Sequence, residues 1–249
     1  MLQRPLPPDA AVQLGAWLAG NGAQYAGEIG AHAVGYVPAA WAGIEPWPAL
    51  LADRTGGGRA AVSRAQVMAV ARAGAVSSSW RETLVASYVW GQGGNGYGPH
   101  RLGQILHGPS VQTQLARAVA MLADEGAVAA YRSLRGAIPG LGPAFFTKFL
   151  YFAGAARLEL PGPRPLILDQ RIARVVRAYA IRVGQKAGLA EPAGLAGWLW
   201  SDGGWTAHRY DIYLGWMHAA TGQLAATTHW PFAPDLLELA LFGGAWNPA

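Results

Sequence analysis

The sequence predicts an all-α protein, on three observations. Apolar residues recur at helical spacing of about 3.6 through most of the chain, and several of these segments open on Ser, Asp or Pro signals. Gly- and Pro-rich breaks separate the segments at helix length. Alternating apolar–polar runs, the mark of half-buried strands, are scarce. With 249 residues, 52% hydrophobic and 13% charged, the chain has the material for a large core. The length suits residues 1–249 as a single helical domain or as two intimate helical subdomains flanking a cleft.

Taken in order, Pro7-Pro8-Asp9 precedes residues 10–19, where Val12, Leu14, Trp17 and Leu18 roughly line one face, and Gly20-Asn21-Gly22 ends the helix. Residues 23–62 are rich in Gly, Ala and Pro and read as irregular structure pinned by Trp41 and Trp47. Ser63 and Gln66 have capping-box spacing and start a helix to about Arg72. Ser79 and Glu82 repeat the device before Leu84, Val85, Tyr88 and Val89. The stretch from Trp90 to Arg101 holds five glycines and predicts a loop. Ser110 caps a helix through Leu122, and residues 125–135 form the first arm of a helical hairpin. Further helices are expected near 144–154, 170–183, 192–200, 206–220 and 234–241. Residues 165–168 are the one extended candidate, as a connector.

The net charge of +5 is compatible with a polyanionic partner. Only two of the 19 basic residues are lysines, Lys148 and Lys186, and arginine suits phosphate through its bidentate fork. No cysteine is present, which excludes disulfides, thiolate zinc sites and cysteine-ligated iron–sulfur clusters. The first twenty residues lack a signal-peptide pattern, and no uncharged apolar run reaches the length of about 18 residues that spans a bilayer. The expectation is a cytoplasmic monomer with no membrane partner.

Residues 138–174 concentrate the chemistry. Ile138-Pro139-Gly140-Leu141-Gly142 is a tight turn between helices, and its glycines allow close approach of a nucleic-acid backbone. The helix that follows offers its N-terminal amides to a phosphate, a contact that sets register without reading sequence. Such turns also serve as simple helix connectors. Lys148 lies in the apolar helix after the turn, as a snorkelling side chain or as an amine desolvated enough to be a nucleophile. Asp169 stands at the mouth of the next helix, where a carboxylate caps exposed amides and, ionised, can stabilise positive charge on a sugar. Around these, Gln92, Asn95, Tyr97, His100 and Arg101 are candidate DNA contacts, or else belong to a plain surface loop anchored by Trp90. Tyr210, Tyr213 and Trp216 fall roughly on one helix face, as core or as a stacking wall for an extruded base. The six histidines show no metal-ligand spacing, so neither a catalytic metal nor a cofactor is expected.

The turn, the helix with its lysine, and the aspartate at a helix start resemble the helix-hairpin-helix DNA glycosylase superfamily, and within it the 8-oxoguanine DNA glycosylase fold. The resemblance covers residues 138–174, within a catalytic segment at 125–183. It implies that Pro139, Gly140, Leu141, Gly142 and Arg171 contact duplex DNA and that Trp90, Tyr210, Tyr213 and Trp216 form a base pocket. It further implies that Asp169 is the catalytic aspartate and Lys148 the candidate Schiff-base nucleophile. Hairpin carbonyls in this superfamily can hold a monovalent cation. The implied activity is excision of oxidised or modified bases such as 8-oxoguanine, with or without apurinic-site lyase action, as in base excision repair. Alternatives are an anti-phage glycosylase for hypermodified bases and a non-enzymatic DNA-binding module. The sequence departs from the family pattern at three places. Ala144 stands where the family lysine is usual, one helical turn before Lys148. Phe146 replaces a small residue. Leu168-Asp169 stands for Pro-Val-Asp, with Arg171 where histidine is common.

Overall fold

The computed structural model describes residues 5–55, 57–94, 96–157 and 159–248. Eleven α-helices are found among them: α1 Pro8–Ala19, α2 Arg64–Ser77, α3 Arg81–Gln92, α4 Gly98–Leu106, α5 Val111–Asp124, α6 Ala127–Leu134, α7 Pro143–Ala155, α8 Gln170–Lys186, α9 Pro192–Leu199, α10 Ala207–Thr227 and α11 Pro234–Phe242. The fold is all-α in class, as the periodicity implies. The chain divides into two compact units, one formed by residues 1–28 with 166–249 and the other by residues 29–165.

In the 29–165 unit α2, α3 and α7 pack against one another. Its core is aromatic: Phe146, Phe149 and Phe152 of α7 are fully buried, Trp80 meets Phe149 edge-on at 6.3 Å, and Tyr131 meets Phe146 at 4.8 Å. Two elements here correct the sequence reading. Residues 23–62 are not wholly irregular, because Ala33–Tyr36 (β1) pairs antiparallel with Ala60–Ser63 (β2), Ala33 opposite Ser63. Each strand is four residues long, too short for alternation to declare itself, and only Tyr36 and Val62 turn fully inward. The glycine-rich stretch is also less open than expected. Helix α3 runs to Gln92 and α4 begins at Gly98, where Pro99 presets the first turn.

The helix-start signals fared unevenly. Ser63 and Gln66 form the full capping box, with Gln66 N donating to Ser63 Oγ at 3.2 Å and Ser63 N to Gln66 Oε1 at 2.9 Å. Ser79 and Glu82 do not; α3 starts after Trp80 with no side-chain cap. Gln112 of α5 instead ties this corner, accepting from Trp80 N and donating to Ser78 O. Ser110 likewise precedes α5 without a side-chain cap bond.

The unit of residues 1–28 and 166–249 is built on α10, whose Tyr210, Tyr213, Leu214, Met217 and Leu224 are all fully buried. The N-terminal segment joins it through polar bonds of very long sequence reach. Arg182 grips Asp9 with two bonds of 2.6 and 2.7 Å, Gln223 exchanges two bonds with the Leu6 backbone, and Trp216 Nε1 donates to Pro5 O.

Candidate active site

The turn between α6 and α7 is held from within. Ile138 and Leu141 are buried anchors, and Leu141 N donates to Ile138 O at 3.1 Å. The Leu141 side chain is therefore committed to the protein interior. Pro139 and Gly140 are exposed at the tip, where Gly140 takes φ +80, the left-handed region that favours glycine. Gly142 caps α7 with extended backbone, and its carbonyl accepts from Phe145 N and Phe146 N.

Lys148 is 7% exposed. Side chains on a helix lean toward its N-terminus, and this one folds back a full turn: Nζ donates to Ala144 O at 2.8 Å. The long stem thus delivers Nζ to the level of the Ala144 backbone, one turn before its own Cα. The ammonium also lies 5.6 Å from the Phe145 ring, which stacks on Tyr88 at 3.9 Å. One turn further along α7, Tyr151 accepts from Arg64 Nη1 at 3.1 Å. Arg64 is 1% exposed, packs over the Trp90 and Tyr151 rings, and donates from Nε to His32 Nδ1 at 3.3 Å. Burial, and then the charge of Arg64, hold the His32 imidazole down at about 4.

Asp169 belongs to the other unit, four residues beyond Pro165. It is the N-cap of α8, its Oδ1 accepting from Arg171 N at 3.0 Å and Ile172 N at 3.2 Å. The connector before it, Leu166-Ile167-Leu168, is buried at every residue. Three of its backbone groups are bonded by two tyrosines of α10. Tyr210 Oη donates to Leu166 O at 2.9 Å and accepts from Leu166 N at 3.2 Å, while Tyr213 Oη donates to Ile167 O at 2.7 Å. Sequence reasoning missed this role. The available signal was a pair of tyrosines on an apolar helix face beside one apolar extended run whose backbone had no sheet to join.

The residues expected at a base pocket are thereby accounted for as interior groups, in place of an open stacking wall. Tyr210 and Tyr213 are fully buried against the connector. Trp216 is 8% exposed and lies against Tyr179, and Trp90 sits inside α3 between His32 and Phe152. Of the expected DNA contacts, Tyr97 is 72% exposed with His100 against its ring and Arg101 5.9 Å from its centroid, all near the start of α4. Gln92 ends α3 and is half-buried, and Asn95 lies outside the described residues. Arg171 is exposed, with its guanidinium 4.8 Å over the Phe242 ring. A groove of about 660 Å³ runs beside α4, lined by Ile44, His100, Gln104 and His107, and Lys148 does not border it. Among the described residues no group of three or more His, Asp or Glu side chains could hold a metal ion, and no helix is long and apolar enough to cross a membrane.

The model of the family described as "Putative 8-oxoguanine DNA glycosylase OGG-like protein" matches residues 27–242. The chain belongs to this family. At family level it is a DNA glycosylase, and the match takes in the hairpin, Lys148 and Asp169. No curated protein and no solved structure matches the chain.

Proposed function

We propose that this glycosylase excises 8-oxoguanine or a related oxidised base from duplex DNA, with Lys148 as the nucleophile and Asp169 as the stabiliser of charge on the sugar. The observation that carries the proposal is the Lys148 amine. It is the single lysine of the hairpin helix, folded back to the Ala144 carbonyl at 2.8 Å in a largely apolar setting. A surface lysine has no need of such a seat, whereas an amine held in one place is suited to attack.

In the proposed reaction the tip of the hairpin and the start of α7 hold a phosphate of the lesion strand. The target nucleotide leaves the stack. As the bond from C1′ to the base breaks, positive charge grows on the sugar and the Asp169 carboxylate stabilises it. Nζ, having given up a proton, bonds to C1′, and the departing base carries its electron pair away and is protonated. Opening of the C1′–O4′ bond, with a proton delivered to O4′, then leaves an imine between Lys148 and C1′. Loss of a C2′ proton from that imine, with the 3′ phosphate departing on the C3′–O electron pair to leave a C2′–C3′ double bond, would constitute the lyase step.

The test is borohydride trapping on a duplex carrying 8-oxoguanine opposite cytosine. The expected result is a covalent adduct that Lys148→Ala abolishes, with base release by Asp169→Asn reduced about 10²-fold or more. An adduct undiminished in Lys148→Ala rules out this nucleophile. Base release at the wild-type rate by Asp169→Asn, which keeps an N-cap oxygen, rules out the aspartate role.

A further inference from the structure

Helices α3 and α7 lie side by side, and a glycine of α3 faces the Lys148 stem. Gly91 is the penultimate residue of α3. A β-carbon placed on it would lie 2.5 Å from Cδ and 2.9 Å from Cε of Lys148, both inside the 3.0 Å that real β-carbons essentially never breach. It would also stand 3.6 Å from Cε1 of Phe145. The lysine stem occupies the volume that any other residue at position 91 would claim. Glycine inside a helix lowers stability relative to alanine, so its presence here calls for a compensating role. The same wall of α3 supplies Tyr88, one turn earlier, whose ring stacks at 3.9 Å on Phe145. Phe145 in turn lies 5.6 Å from Nζ. Slot and aromatic pair flank the stem as it runs back along α7 to Ala144 O.

We infer that Gly91 is the positioning residue for the Lys148 amine: its missing side chain is the slot that holds the nucleophile in place. The inference rests on the reading of Lys148 as nucleophile. The contact falls on Cδ and Cε, the two carbons that carry Nζ, so a methyl group at position 91 turns the flexible end of the side chain aside. Nζ then loses its seat on Ala144 O.

The experiment compares wild type, Gly91→Ala, Lys148→Ala and the double variant. Three quantities are read: single-turnover adduct formation under borohydride, affinity for the same duplex, and thermal midpoint. Gly91→Ala is expected to lower the trapping rate about 10²-fold, the usual effect of misplacing a reacting group by an ångström, with affinity for DNA unchanged. Its thermal midpoint falls in the wild-type background. In the Lys148→Ala background the same substitution costs nothing or raises the midpoint, since the slot is then empty and alanine favours the helix. If Gly91→Ala alone fails to fold, the double variant regains the fold. Trapping at the wild-type rate by Gly91→Ala, or an equal midpoint loss in both backgrounds, overturns the slot while leaving the nucleophile in place. No adduct from wild type overturns the nucleophile and the catalytic meaning of the slot with it.

Discussion

Acidification should destabilise this protein through one residue, His32. Its ring is half-buried, with Nδ1 accepting from Arg64 Nε at 3.3 Å and its ring edge-on to Trp90 at 5.5 Å. Protonating Nδ1 would bring two donors and two positive charges face to face. The native ring accordingly titrates near 4 against an ordinary value of 6.5. A depressed value in the folded state means that the unfolded chain takes up the proton first. The stability tied to the neutral ring is whole above pH 6.5 and is lost as pH falls from there to about 4. That interval corresponds to a ceiling of about 3.5 kcal/mol at roughly 1.4 kcal/mol per pH unit, and screening at the partly exposed ring brings it to about 2. The acidic groups Asp9 and Asp202 are held down to about 2 by arginine partners and lie outside this window. The assay is urea unfolding from pH 7.5 to 4.5 for wild type and His32→Asn, whose side-chain oxygen can replace the Nδ1 acceptor. Wild type should lose about 2 kcal/mol more than the variant over that range. Parallel curves would refute the assignment.

Two further substitutions test the frame around the site. Tyr213→Phe removes the 2.7 Å bond to Ile167 O and leaves a buried carbonyl unsatisfied, a loss of about 1–3 kcal/mol by thermal unfolding. Since that carbonyl lies two residues before Asp169, base release should fall as well. Gly126 has φ +89 and would bring a β-carbon within 2.5 Å of Pro161 O, so Gly126→Ala should cost about 2 kcal/mol or more in urea unfolding. An effect within experimental error would show that the segment around Pro161 yields easily.

The legible parts of the fold were those in which local chemistry decides. Asp169 at a helix start, the Ser63–Gln66 box and the Pro-Gly-Leu-Gly turn each carry their partners within a few residues, and each formed, although in the turn only Gly140, and not Gly142, takes positive φ. Where a distant group decides, local pattern carries no signal. Ser79 lost its capping role because Gln112 of α5 satisfies that corner. The β1–β2 pair joins residues some thirty positions apart. The tyrosines of α10 were recognisable as aromatic, but their bonds to a connector more than forty residues earlier were not. Lys148 falls between these cases. Its place on the hairpin helix was readable, whereas the return of its amine to Ala144 required the three-dimensional slot at Gly91.

The division of the chain has a consequence for its birth on the ribosome. Residues 29–165 close on themselves, so this unit can fold as soon as it emerges. Residues 5–28 cannot, because Asp9 awaits Arg182, Leu6 awaits Gln223 and Pro5 awaits Trp216. Helix α1 must therefore remain unattached while the lysine-bearing body forms, and it docks only when α8 and α10 have been made. Pairing of such sequence-distant segments is slow, which places closure of the aspartate-bearing unit last in the assembly of the enzyme.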